Sequence, residues 1–199
     1  MTRQLNLLGE DPANPGLPEG LAYRPALLNE GEEAGLIDRI AALPFAPFQF
    51  HGFEGKRRTV SFGWQYRFDG SGLAEAEPMP EWLLEVREKG AAFAGLRAEE
   101  LAHALIIEYA QGAGIGWHRD RPDFGEVIGI SLKSEAPLRF RLRERDRWRR
   151  FTLLAAPRSA YHLAGPVRAD WEHSILAVAA LRYSITFRTL RKPPLSLKT

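Results

Sequence analysis

Cysteine is absent from this chain, which removes disulfides, thiolate nucleophiles and Cys-based zinc sites together. Any bound metal must then use His, Asp or Glu, and histidine is itself scarce, at five residues. No apolar run approaches the roughly 20 residues that span a bilayer, and the N-terminus lacks a signal-peptide pattern. The expectation is a cytoplasmic protein without membrane contact. Lysine is also rare: 22 of the 27 basic residues are arginine, and the net charge is only +2. That bias suits planar recognition of carboxylate or phosphate, although GC-rich coding produces it without any function behind it.

What is present is an ordinary globular composition, 45% hydrophobic and 26% charged, long enough for one domain with a full core. Residues 1–18, with Pro12, Pro15 and Pro18, read as an extended arm, 19–191 as a single domain, and 192–199 as a loose tail. "LLNEGEEAGLIDRIAAL" predicts a helix capped by Asn29, with Leu36, Ile37, Ile40 and Leu43 on one stripe. "MPEWLLEVREKGAAFAG" predicts a second, starting at Pro80, with Trp82, Leu83, Val86 and Phe93 inward. The apolar period then changes from 3.6 to 2: "HALIIEYA", "VIGISL", "LRFRLR", "RRFTLL" and "RYSITFR" are strand-like. Two early helices followed by many strands indicate an α+β fold with a β-sandwich or jelly-roll body.

The chemistry centres on "GIGWHRDRPD", where His118 and Asp120 stand two apart. On a strand such residues point to one side and could converge on a metal. A third ligand must come from another strand, and His173 in "RADWEHSI" and His162 in "SAYHLAG" compete for that place. Two His and one carboxylate form the facial triad that holds non-haem Fe(II) and leaves positions open. Iron of that kind commonly uses 2-oxoglutarate, whose carboxylate needs an arginine. Arg182 and Arg188 share one strand face about 20 Å apart at ~3.3 Å per residue, close enough for long side chains to serve one site.

With these residues together, the sequence resembles the AlkB-type Fe(II)/2-oxoglutarate dioxygenases, over roughly residues 20–191. The likeness is strongest in "EYAQGAGIGWHRD", "AGPVRADWEHSI" and "LRYSITFR", with "RRTVSFGWQY" matching the segment before the core. The resemblance implies a double-stranded β-helix with the two helices packed on it. It also implies Fe(II) on His118, Asp120 and His173, and 2-oxoglutarate gripped by Arg182. Tyr109 would bond the co-substrate and Arg188 would complete the pocket, with O₂ as oxidant. Two positions depart from the family: Ile107 and Ser184 stand where many members have Asn, and both Asn positions contact the co-substrate there.

Within that reading, residues 19–100 hold the helices and a substrate lid, and 101–191 the β core. The lid segment interleaves aromatics with cations, as single-strand binding requires. Trp64 and Tyr66 share a strand face, and Arg57, Arg58 and Arg67 lie beside them. The implied partner is an alkylated nucleic acid, single-stranded or with its base flipped out, in DNA repair or modification. A protein hydroxylase or demethylase, or a non-enzymatic nucleic-acid-binding module, are the rival readings. Arg139, Arg141 and Arg143 alternate with Leu138, Phe140 and Leu142, giving a cationic strand face that either tracks phosphates or is simply solvated. "QLNLL", Gln4 to Leu8, resembles the peptide by which bacterial repair proteins dock on the sliding clamp; a leader with three leucines is the plain alternative. A monomer is expected.

Overall fold

A computed structural model describes residues 16–50, 53–67 and 72–191. The motif at Gln4–Leu8 and the tail 192–199 therefore lie outside the described residues, as does the side chain of Arg67.

The chain order is β1 (Leu21–Arg24), α1 (Glu30–Ala41), β2 (Ala46–Phe50), β3 (Phe53–Phe62), β4 (Trp64–Arg67), β5 (Gly72–Glu75) and α2 (Glu81–Ala94). There follow β6 (His103–Tyr109), β7 (Ile115–His118), β8 (Phe124–Leu132), β9 (Ala136–Glu144), β10 (Arg147–Ala155) and β11 (Ala160–Leu163). The last elements are α3 (Gly165–Ala169), β12 (Glu172–Ile175) and β13 (Arg182–Leu190). Seven strands form one sheet in the order β1-β11-β8-β13-β6-β3-β2, and four form another, β10-β9-β12-β7. The hairpin β4-β5 stands apart from both. The architecture is mostly β, of jelly-roll type.

Local signals explain both long helices. Asn29 accepts from the Glu32 amide while Glu32 accepts from the Asn29 amide, a reciprocal cap on α1. Pro80 precedes α2, and Gly95 ends it in the left-handed conformation that glycine adopts freely. Leu36 and Ile40 of α1 and Leu83 and Val86 of α2 pack on Ile106, Ile128, Ile130, Ile185 and Phe187 of the large sheet. Each such side chain contributes roughly 1.5–3 kcal/mol by leaving water. Gly90 of α2 lies on that sheet, where a Cβ would make ordinary contact with Ile128 at 3.5 Å.

Strand alternation then assigns the other face. On β13, Tyr183, Ile185 and Phe187 face the helices, so Arg182, Ser184, Thr186 and Arg188 face the smaller sheet. In register with them on β6 are Tyr109, Ile107, Leu105 and His103. The space between the sheets is closed by Val127, Leu138, Phe140, Leu163 and Trp171.

Three findings differ from the sequence expectations. Among the described residues there are three α-helices rather than two: α3 is a single turn opened by Pro166, too short to show a 3.6-residue period. Strand β3 pairs with β6, so the segment before residue 101 also supplies the large sheet. Strand β7 ends at His118, which leaves Asp120 on the connection to β8 and not on the strand.

Candidate active site

The four-stranded sheet brings the two histidines together through its register. His173 on β12 lies directly opposite His118 on β7, and both face inward beside Phe140. Their ring centroids are 4.3 Å apart. Nδ1 of His118 is 2.9 Å from the Gly116 carbonyl oxygen, which can only accept, so Nδ1 carries the proton and Nε2 carries the free lone pair.

Asp120 completes the group from the loop. Its Oδ2 lies 3.6 Å from His173 Nε2, and its Oδ1 accepts from Arg188 Nε at 3.0 Å and Nη2 at 2.8 Å. Arg188 also donates from Nη1 to His103 Nδ1 at 3.4 Å, and His103 stacks on Phe124 with centroids 4.6 Å apart. The loop is pinned by the buried Arg168 of α3, whose Nη2 donates to the carbonyls of Arg121 at 2.8 Å and Phe124 at 2.6 Å. That contact gives the single turn of α3 its purpose.

Burial sets the protonation states. It pushes His173 down to about 3 and lowers His118 and His103 as well, so all three imidazoles are neutral near pH 7. Burial alone would raise Asp120, but Arg188 and then the histidines outweigh it and hold the carboxyl well below the usual range. Two neutral imidazoles and one ionised carboxylate are, in kind, the donors that a divalent iron takes. Among the described residues, no three His, Cys, Asp or Glu are drawn together as a closed metal centre. The three groups converge without forming a cage.

The second half of the site lies six residues back along β13. Arg182 is fully buried, beneath the Tyr109 ring at 5.1 Å, and its Nε donates to Ser131 Oγ at 3.0 Å. Both terminal nitrogens, Nη1 and Nη2, are buried with no hydrogen-bond partner. An unpaired guanidinium in the interior is costly, so the arrangement fits a ligand that brings its own carboxylate. Between Arg182 and Arg188 stands Tyr161 of β11, opposite Gly129, with its phenol pushed up to about 12 by burial. A Cβ on Gly129 would lie 2.0 Å from Tyr161 Cζ, so glycine there makes room for the ring.

A model of the 2OG-Fe(II) oxygenase superfamily matches residues 46–188. The chain belongs to that family. In a Danio rerio protein named "Probable RNA/DNA demethylase ALKBH6", 111 residues are 30% identical to this oxygenase. The match covers 56% of this chain and 45% of the relative, so the chain spans under half the length of that protein. Among solved structures, OsALKBH1 superposes with TM-score 0.67 at 14% identity, over 87% of this chain and 98% of that one. An oxidoreductase of the 2OG-Fe(II) oxygenase family from Burkholderia pseudomallei gives 0.63 at 18%, over 87% and 86%. These two likenesses concern the fold. The Danio rerio protein and OsALKBH1 carry AlkB-type names, in line with the sequence motifs, and the family implies Fe(II), 2-oxoglutarate and O₂.

The remaining candidates are distributed unevenly. His162 is remote from the triad and bonds Glu126 through Nε2 at 2.6 Å. Ser184 faces the cleft directly opposite Ile107, so the two departures from the family pattern are neighbours on adjacent strands. Arg57 pairs in register with Tyr109 on the cleft face, and its charge is felt by His118. Arg58 alternates to the other face, where it bonds Glu108 at 2.7 Å and lies over Phe45. Arg121, just past Asp120, covers the Tyr66 ring at 3.8 Å, so β4 reaches the loop that carries Asp120. Sequence reasoning passed over Arg168, His103 and Tyr161. Each is buried and polar, but a single sequence offers no sign that they are.

Proposed function

We propose that this chain is an Fe(II)- and 2-oxoglutarate-dependent dioxygenase that removes alkyl groups from N-alkylated DNA or RNA bases. The observation that carries the reading is the buried Arg182 with both terminal nitrogens unpartnered, on the same cleft as His118, Asp120 and His173. His118, Asp120 and His173 would hold Fe(II), which with O₂ and 2-oxoglutarate supplies the power to hydroxylate an N-alkyl carbon, releasing succinate, CO₂ and then the alkyl group as an aldehyde.

The chain's own residues position and protect. Burial keeps both imidazoles neutral and thus able to donate lone pairs. Arg188 occupies one oxygen of Asp120 and directs the other toward His173. Arg182 takes a co-substrate carboxylate as a planar fork, with the Tyr109 hydroxyl as a second donor. Ile107 and Ser184 supply no amide beside it, so the fork carries more of the binding. Tyr66 and Arg121 cover the metal-side rim, where the substrate base would enter and water be kept out. The name borne by the Danio rerio relative agrees with a nucleic-acid substrate.

The test is a panel of alkylated single-stranded oligonucleotides with mass detection of the product and parallel measurement of succinate. The intact protein is expected to restore at least one base, His173→Ala to lose Fe(II) and succinate formation while folded, and His162→Ala to keep both. Succinate formed on alkylated or hydroxylatable peptides, with every oligonucleotide untouched, would move the substrate to protein.

A further inference from the structure

The outer face of the four-stranded sheet gathers arginines and tryptophans in one row. Strand alternation sends Phe140 and His173 inward, so Arg139, Arg141 and Arg143 of β9 point outward. Beside them lie Trp148 and Arg150 of β10 and Trp117 of β7. The rings and guanidiniums interleave: Arg139 and Arg141 lie 4.8 and 4.4 Å from Trp117, and Arg141 and Arg143 lie 4.3 and 5.4 Å from Trp148. Each of the three β9 arginines is anchored through Nε, to Ser174 Oγ, Glu172 Oε2 and the Arg145 carbonyl. Nη1 and Nη2 of all three then have no hydrogen-bond partner among the described residues. Rings lie against the guanidiniums and Nε is tethered, so the forks are preorganised for a ligand with little rotamer entropy left to lose.

We infer that this face is a binding surface for single-stranded nucleic acid, distinct from the catalytic cleft on the opposite side of the same sheet. Charge favours a polyanion: the outward positions of the four strands carry four arginines against one glutamate, Glu172. Spacing favours a strand of phosphates. Alternate residues on β9 are roughly 6.5–7 Å apart, which is comparable to the separation of successive phosphates in an extended chain. A planar fork meets a phosphate with two parallel bonds. The row also leads somewhere, because Trp117 is the residue before His118 and lies on the edge strand of the sheet. The choice of nucleic acid as occupant rests on the dealkylase reading; the existence of a polyanion surface does not.

The test is titration of the full-length chain with an unmodified oligothymidylate over a range of salt, read by tryptophan fluorescence and by anisotropy of a labelled strand. The variant is Arg143→Gln with Arg150→Gln, two exposed side chains that make no contact with the histidine pair. Each lost phosphate contact lowers the log–log salt slope by ~0.7 on a single strand, so the double variant is expected to lose about 1.4 from the slope. Arg143→Lys with Arg150→Lys should keep most of it, since the charge remains. An unchanged slope in the glutamine variant, or no oligothymidylate binding by the intact chain, overturns the proposal. So does preference for duplex, or binding of polyglutamate in place of the oligonucleotide. If alkylated bases are never oxidised but the slope falls as stated, the surface stands and the dealkylase reading alone fails. If bases are oxidised and the slope is unchanged, the reverse holds.

Discussion

Strand β13 carries two buried arginines on one face, and its two ends are finished differently. At the far end Arg188 is closed by the protein itself: two of its nitrogens grip Asp120 and a third reaches His103. At the near end Arg182 has one bond, to a serine hydroxyl, and two terminal nitrogens with no partner. Both side chains sit in the same kind of interior, so burial does not account for the contrast. The difference lies in which carboxylate each awaits. Arg188 works on a residue of the chain and fixes one oxygen of Asp120; Arg182 is arranged for an oxygen that the chain does not supply.

The largest effect should come from breaking the closed end. Arg188→Met leaves Asp120 buried and ionised without its main counter-charge, a change that typically costs ~3–5 kcal/mol. Chemical denaturation of the metal-free protein should show that loss. Arg182→Met removes an unpaired buried charge and should leave the stability of the metal-free protein unchanged or raised. Equal losses in the two variants would erase the distinction between the ends.

A smaller effect is expected midway, where Gly129 pairs with Thr186 between the two arginines. Gly129→Ala drives a methyl into Tyr161 and should cost about 1–3 kcal/mol, as overpacking does. Adding Tyr161→Ala should restore part of that loss, whereas Tyr161→Phe should restore little, because Cζ and Cε1 would still clash at 2.0 and 2.5 Å. Thermal unfolding of the three variants settles the point.

The effect smallest per step, though cumulative, is in pH. Burial pushes His173 down to about 3 against an ordinary 6.5, so as pH falls below 6.5 the unfolded chain takes up its proton first. Stability of the metal-free protein should therefore decline below pH 6.5, at up to about 1.4 kcal/mol per unit from this residue. His103 and His118 act with the same sign. Asp120, depressed instead, adds to the loss only once the pH enters the ordinary carboxylate range and continues below it. His173→Gln should flatten the profile; an unaltered profile would show that burial does not keep this imidazole neutral.

These contrasts also explain what could be read without a structure. The β9, β10 and β13 strands were legible because each alternates over several residues, β6 and β8 because they hold short apolar runs rich in β-branched residues, and α1 and α2 because caps and stripes coincide. The facing positions of Arg182 and Arg188 follow from even spacing alone. Position in a loop was not legible: Asp120 obeys no strand period and is turned inward by Arg188 and by the Arg168 clamp on its loop. Nor was α3, whose five residues are too few to display a period. Arg57 and Arg58 look equivalent in sequence, but the pleat sends one to the cleft and the other to Glu108.

The most direct test of the account is calorimetric titration of 2-oxoglutarate into the metal-loaded protein under anaerobic conditions, comparing wild type with Arg182→Ala and Arg182→Lys. Loss of a charge-assisted fork should cost a few kcal/mol, hence an affinity lower by roughly one to three orders of magnitude. Lysine should not restore it, since a point charge lacks the second arm. Equal affinity in wild type and Arg182→Ala would contradict the account, because the open end of β13 would then have no carboxylate to receive.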